Sequence, residues 1–182
     1  MEGKPLKMIR GFLTGAVIGC FALVTYLAFH LGVFKDVEIK EEVRGPYYVL
    51  YQKHTGPYFQ ISEVITKIEQ TVKQASLPCD LTFGEYFDNP KEVDADRLRS
   101  RGGCLSRENY SQTPEGLELD HLPEQRYVVA RFSGSPAIGP WKVYPRVQAY
   151  LEERRLHAME ESIEIYDLKN DKLTTEYLFP LK

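Results

Sequence analysis

At 182 residues the chain has room for one domain of ordinary size and an extension. Its 43% apolar and 27% charged residues are those of a globular protein, with aromatics on the high side at 12%, which excludes a disordered or collagen-like chain. The net charge of −3, with no basic run beyond the N-terminus, argues against a nucleic-acid surface.

Residues 11–34 carry no formal charge if His30 is neutral. An apolar helix of about 20 residues crosses a bilayer, so the run is long enough for a retained single-pass anchor. A cleaved signal peptide has a shorter apolar core, of about 7–15 residues, and a small-residue cleavage site. A buried core helix is the third reading, but it would show a polar face. The expected organisation is an anchor over residues 1–34, a charged linker over 35–45 and a domain over 46–182. Lys4, Lys7 and Arg10 flank one end of the apolar run, and Lys35, Lys40 and Arg44 the other. The positive-inside rule counts these cations and leans towards a domain outside the cytoplasm, leaving the side of the membrane open. Cys79 and Cys104 flank a predicted hairpin, as a disulfide pair in an oxidising compartment or as two separate thiols elsewhere. Asn109-Tyr110-Ser111 matches a glycosylation acceptor, a triplet common by chance.

Beyond the linker, residues 47–53 are aromatic and β-branched and predict a strand. Gly56-Pro57 breaks it. Ile61, Val64, Ile65, Ile68 and Val72 then recur at helical spacing. Residues 81–87 predict a second strand, Asp88-Asn89-Pro90 a turn, and residues 101–107 a third strand. The polar stretch 111–125 reads as a connector. The pattern then restarts, with a strand at 126–132 and a Gly/Ser/Pro loop. A helix follows through Tyr144, Val147 and Leu151, its start placed by Pro145. Strands at 162–168 and 173–179 close the chain, joined by a turn at Lys169-Asn170-Asp171.

The unit is therefore β-α-β-β, present twice, opening on Gly56-Pro57-Tyr58 in one copy and Gly139-Pro140-Trp141 in the other. Neither half buries its apolar face alone. The expected fold is α+β, with the duplicated units forming one antiparallel sheet, two helices packed on it, and a single transmembrane helix in front.

These residues resemble the GyrI-like small-molecule-binding domain, a duplicated fold of the SHS2/SOUL type. The likeness rests on His54-Thr55-Gly56-Pro57-Tyr58, on Glu85-Tyr86-Phe87-Asp88-Asn89-Pro90 and on the closing Thr175-Glu176-Tyr177-Leu178-Phe179-Pro180-Leu181. It covers roughly residues 47–181. A finer likeness, through residues 150–156 and Ile163-Glu164-Ile165-Tyr166, is to the membrane-anchored branch that includes the testis-expressed ER-phagy receptor. That receptor carries a long tail with its autophagy motif, and this chain stops at Lys182, so the autophagy role is not expected here. No DNA-binding segment precedes the domain, so a one-component transcription regulator is not expected either.

The resemblance implies an aromatic groove between the halves, with an acid that meets lipophilic or cationic ligands; the family's ligand-site Glu falls on Glu176. Trp141, Tyr58, Tyr48 and Tyr86 are candidate walls of that groove, or else ordinary core aromatics. Glu85 and Glu164 precede Tyr86 and Tyr166 and are either groove carboxylates or exposed strand acids. The expected function is a membrane-tethered small-molecule-binding or sensing domain, with no cofactor, no metal and no nucleic-acid partner. Its expected partners are the small molecule, the lipid bilayer and, in a second reading, a membrane protein bound through an interaction surface. Catalysis is not expected, since no His/Cys metal spacing, nucleophile elbow or phosphate loop is present. A third reading is hydrolysis of strained electrophiles, with Glu176 as general base.

Overall fold

The computed structural model describes residues 3–167 and 174–182, with side chains from Gly11 onward. The predicted turn at 169–171 lies outside the described residues. Ten elements carry the domain: β1 Val37–Arg44, β2 Tyr47–Thr55, α2 Ile61–Gln74, β3 Leu81–Tyr86, β4 Arg99–Ser106, β5 Glu118–Leu122, β6 Gln125–Phe132, α3 Gly139–Arg154, β7 Ser162–Asp167 and β8 Thr174–Pro180. The helix α1, Gly3–Leu31, precedes them. The strands form one antiparallel sheet in the order β1-β6-β8-β7-β3-β4-β2-β5. The architecture is α+β, as the pattern predicts, and the two halves meet where β3 pairs with β7.

Two strands differ from expectation. Residues 37–44, expected as linker, form β1 along β6, and residues 118–122, expected as connector, form β5 along β2. The repeat is thus β-β-α-β-β, and each half lends its leading strand to the edge of the other. The links out of these strands touch. A side chain at Gly45, with φ +96°, would meet the Pro123 carbonyl oxygen at 2.8 Å. Glycine alone fits that approach and that dihedral. Because β1 and β5 sit at opposite edges, this contact requires the sheet to curl, and the curl encloses a core on the face away from α2 and α3. That core holds Val49, Phe83, Leu105, Tyr127, Val129, Ile163, Ile165 and Leu178.

The other face carries the helices. On α2, Ile61, Ile65, Ile68 and Val72 are buried at helical spacing. The helix rides close on β4 at Gly102, where a Cβ would come within 2.8 Å of Ile65. On α3, Val143, Val147 and Leu151 pack with Val128, Ala130, Phe132, Tyr177 and Phe179. Burying each such aliphatic side chain contributes about 1.5–3 kcal/mol. The start of α3 is not where Pro145 was expected to place it. The helix opens at Gly139 with Pro140 in its first turn, and Pro145 lies inside. Proline lacks an N–H, so the carbonyl of Trp141, four residues back, loses its helical partner. Gly139 is required here: a Cβ would fall 1.9 Å from the Tyr177 hydroxyl oxygen.

Cys79 and Cys104 form a disulfide with a Cα–Cα distance of 5.1 Å. It joins the segment after α2 to β4, and Cys104 is buried with Leu50, Ile68 and Val72. In α1, the apolar stretch Gly11–Leu31 has none of its length buried against the rest of the chain.

Candidate functional site

The pseudo-twofold relation between β3 and β7 decides which residues meet. In the antiparallel register Gly84 faces Glu164, and Tyr86 and Ser162 face one another. Side chains alternate along a strand, so Gly84, Tyr86, Ser162, Glu164 and Tyr166 all project to the helix side, between α2 and α3. The sequence matches this: Gly84-x-Tyr86 in the first half corresponds to Glu164-x-Tyr166 in the second. One copy has a carboxylate where the other has no side chain.

Glu164 is 5% exposed, and its partners are hydroxyls. Tyr166 donates to one carboxylate oxygen at 3.1 Å, and Tyr144, reaching down from α3, to the other at 3.3 Å. The Tyr86 hydroxyl lies 2.9 Å from that of Tyr166, and the Ser162 hydroxyl 2.9 Å from that of Tyr144. Tyr58, just ahead of α2, packs edge-on against Tyr86 with ring centroids 4.8 Å apart. Its own hydroxyl is pinned by the Asp88 backbone, donating to the carbonyl at 2.8 Å and accepting from the N–H at 2.9 Å. Gly84 makes room for this arrangement, because the Tyr86 hydroxyl occupies the space a Cβ would need. Tyr177 completes the cluster from β8, its buried ring edge-on to that of Tyr144 at a centroid distance of 6.2 Å.

Among the described residues no Lys or Arg pairs with Glu164. Burial pushes its carboxyl up to about 7, and the hydrogen bonds from Tyr166 and Tyr144 only partly oppose this. The phenols of Tyr144 and Tyr166 are raised well above their ordinary value, chiefly by burial and then by the Glu164 charge. They stay protonated as donors. The site is thus an acid held near its midpoint at neutral pH and walled by five aromatic rings. A carboxylate beside several aromatic rings in a low-dielectric setting has the chemistry that suits a cation.

The six residues expected to line one groove lie in different places. Tyr58 and Tyr86 are in the cluster just described. Glu85 faces the opposite side of the sheet, 6% exposed and ion-paired with Arg101, whose guanidinium also reaches Asp120 at 2.7 Å and stacks over Tyr51. Burial raises the Glu85 carboxyl and Arg101 opposes the shift. Glu176 also lies on that opposite side, because Tyr177 and Phe179 pack under α3. It accepts from Arg131 at 2.6 Å and from Arg44 at 3.0 Å, and both arginines also bind Glu42. Tyr48 sits further out on β2, with its ring 6.3 Å from that of His121. Trp141 is 85% exposed at the start of α3. Of all the acids in these strands, Glu164 is buried with hydroxyl partners alone. Aligning the two copies on Tyr86 and Tyr166, rather than on the preceding residue, singles it out.

Comparison with known proteins agrees with this architecture. Residues 36–182 match the GyrI-like small molecule binding domain, well over half of the chain. A DNA gyrase inhibitor from Pectobacterium carotovorum subsp. carotovorum (strain PC1) is 28% identical over 96 residues. That match takes in 51% of this chain and 62% of the inhibitor. Among solved structures, the EcmrR C-terminal domain superposes with a TM-score of 0.60 at 18% identity, covering 81% of this chain and 97% of that one. SAV2435 bound to tetraphenylphosphonium superposes with a TM-score of 0.52 at 14% identity, covering 80% and 94%. At these identities the likeness is one of fold. On the extent of the domain match, this chain belongs to the GyrI-like small-molecule-binding domain family.

Proposed function

We propose that the protein is a membrane-tethered binding domain for lipophilic organic cations, held at Glu164 between α2 and α3 without turnover. One observation carries this reading: a buried carboxylate among aromatic rings, hydrogen-bonded by tyrosine hydroxyls and, among the described residues, paired with no Lys or Arg. Such a group destabilises the empty protein, and a bound cation offsets that cost. SAV2435, which shares the fold, was solved with a ligand of this chemical class. Tethering draws support from the 21-residue apolar stretch of α1, long enough to cross a bilayer. The disulfide and the flanking cations favour the same side, an oxidising compartment outside the cytoplasm.

The test is calorimetric titration of the full chain, in detergent micelles, with tetraphenylphosphonium. Binding at pH 8 is expected, weakened about 30-fold or more by Glu164→Gln, since truncating one partner of a buried charge pair costs 2 kcal/mol or more. Glu176→Gln is expected to leave affinity within about twofold, its carboxylate being satisfied by arginines elsewhere. Equal binding by wild type and Glu164→Gln would sink the assignment. A second reading draws on the pKa of Glu164, because a carboxylate titrating near 7 suits a general base. Turnover of a strained electrophile, lost in Glu164→Gln, would establish it.

A further inference from the structure

The join between α1 and the domain is a seam rather than a tether. The Leu31 carbonyl accepts from the Ser135 backbone N–H at 2.9 Å. Gly32 and Gly134 lie against each other so closely that a Cβ on Gly32 would come within 2.9 Å of the Gly134 Cα. Lys142, in the first turns of α3, donates its ammonium to the carbonyls of Gly32, Val33 and Lys35. Lys35 in turn donates to the Ser133 carbonyl at 2.5 Å. A helix leaves its last carbonyls unpaired, and here a cation from α3 reaches the carbonyls just past the end of α1, where the helix dipole favours positive charge. Only residues 32–36 separate α1 from β1, and most of them are held in this way.

Length sets where the seam lies. The apolar stretch Gly11–Leu31 has 21 residues. At 1.5 Å per residue that is roughly 31 Å, about the thickness of the hydrocarbon core. Leu31 therefore emerges at the boundary with no spare helix, and whatever touches residues 31–35 sits at headgroup depth. Trp141 adjoins Lys142 and is 85% exposed, and Phe34 on the α1 side is 66% exposed. Arg146 is exposed one turn along α3. Tryptophan with flanking cations is the composition that settles at a membrane interface.

We infer that the domain docks on the bilayer its own helix spans, with Trp141 inserted at headgroup level and Lys142 fixing the angle. This rests on the tethered reading above. Trp141 is the single tryptophan of the chain, so its fluorescence reports the site directly. The full chain would be reconstituted in phosphatidylcholine vesicles, with or without lipid brominated near the top of the acyl chain. The expected result is blue-shifted emission, strong quenching by the brominated lipid and weak quenching by iodide. Lys142→Met should move emission to the red and raise iodide quenching, and Lys142→Arg should restore the wild-type signal. Water-like emission with full iodide quenching, in protein that co-floats with the vesicles, would overturn the docking alone. Blue-shifted emission indifferent to brominated lipid would also overturn it, since protein then covers Trp141. Failure to co-float would overturn the tethered reading and the docking together.

Discussion

Replacing Glu164 with glutamine is expected to stabilise the protein above neutral pH, by on the order of 3 kcal/mol at pH 8. The sign follows from proton counting. Burial raises the native carboxyl to about 7 from an ordinary value of 4.5. Between those two values the native state keeps its proton while the unfolded chain has lost it. Stability contributed by the protonated group is therefore fully present below the lower value, falls as pH rises through the window, and is level again above the upper one. Glutamine is neutral in both states and makes similar hydrogen bonds with Tyr144 and Tyr166, so this dependence vanishes. Urea denaturation followed by circular dichroism at pH 4.5 and pH 8 measures it. A difference between wild type and variant that is the same at both pH values, or a variant less stable at pH 8, would mean that Glu164 is solvated or paired. A gain in stability from removing an acid is the mark of a group kept for binding rather than folding.

The double substitution Cys79→Ala with Cys104→Ala is expected to cost roughly 3.5 kcal/mol. The bridge closes a loop of sequence separation 25, which sets the chain entropy it removes from the unfolded state. It also fixes the segment following α2 onto β4, beneath Ile68 and Val72. Loss of the bridge should loosen α2 and with it Tyr58, the wall of the site on that side. The urea midpoint of the wild type should fall to that of the variant when reductant is added, and the variant should not respond. A wild type indifferent to reductant would show that the bridge contributes nothing to folding.

The central pattern was legible because two copies of one unit carry their own punctuation. Gly56-Pro57 and Gly139-Pro140 mark the helix starts, and apolar residues at helical spacing mark the buried faces of α2 and α3. The edge strands were not legible. Glu38, Glu41 and Glu42 give β1 the look of a solvated linker, and Glu118 and Asp120 do the same for β5. Each edge strand takes its backbone hydrogen bonds from a neighbour in the other half, a pairing that local composition does not encode. The site was half legible. Tyr58 and Tyr86 lie in the cluster around Glu164, the acid of the proposed site, whereas the packing of Tyr177 and Phe179 under α3 turns Glu176 towards Arg131 and Arg44. Trp141 read as a pocket wall or core anchor and lies at the surface, on the outer side of a helical turn whose Gly139 and Val143 are buried.

The most direct test of a cation site at Glu164 is the number of protons released when tetraphenylphosphonium binds. It is read from calorimetry in buffers of different ionisation enthalpy. A cation binds the ionised carboxylate, so the fraction still protonated must leave on binding. With a pKa of about 7, release should be close to one proton at pH 6, about half at pH 7 and nearly none at pH 8, and absent in Glu164→Gln. Binding heats independent of buffer from pH 6 to pH 8, or release unchanged by the substitution, would contradict the account.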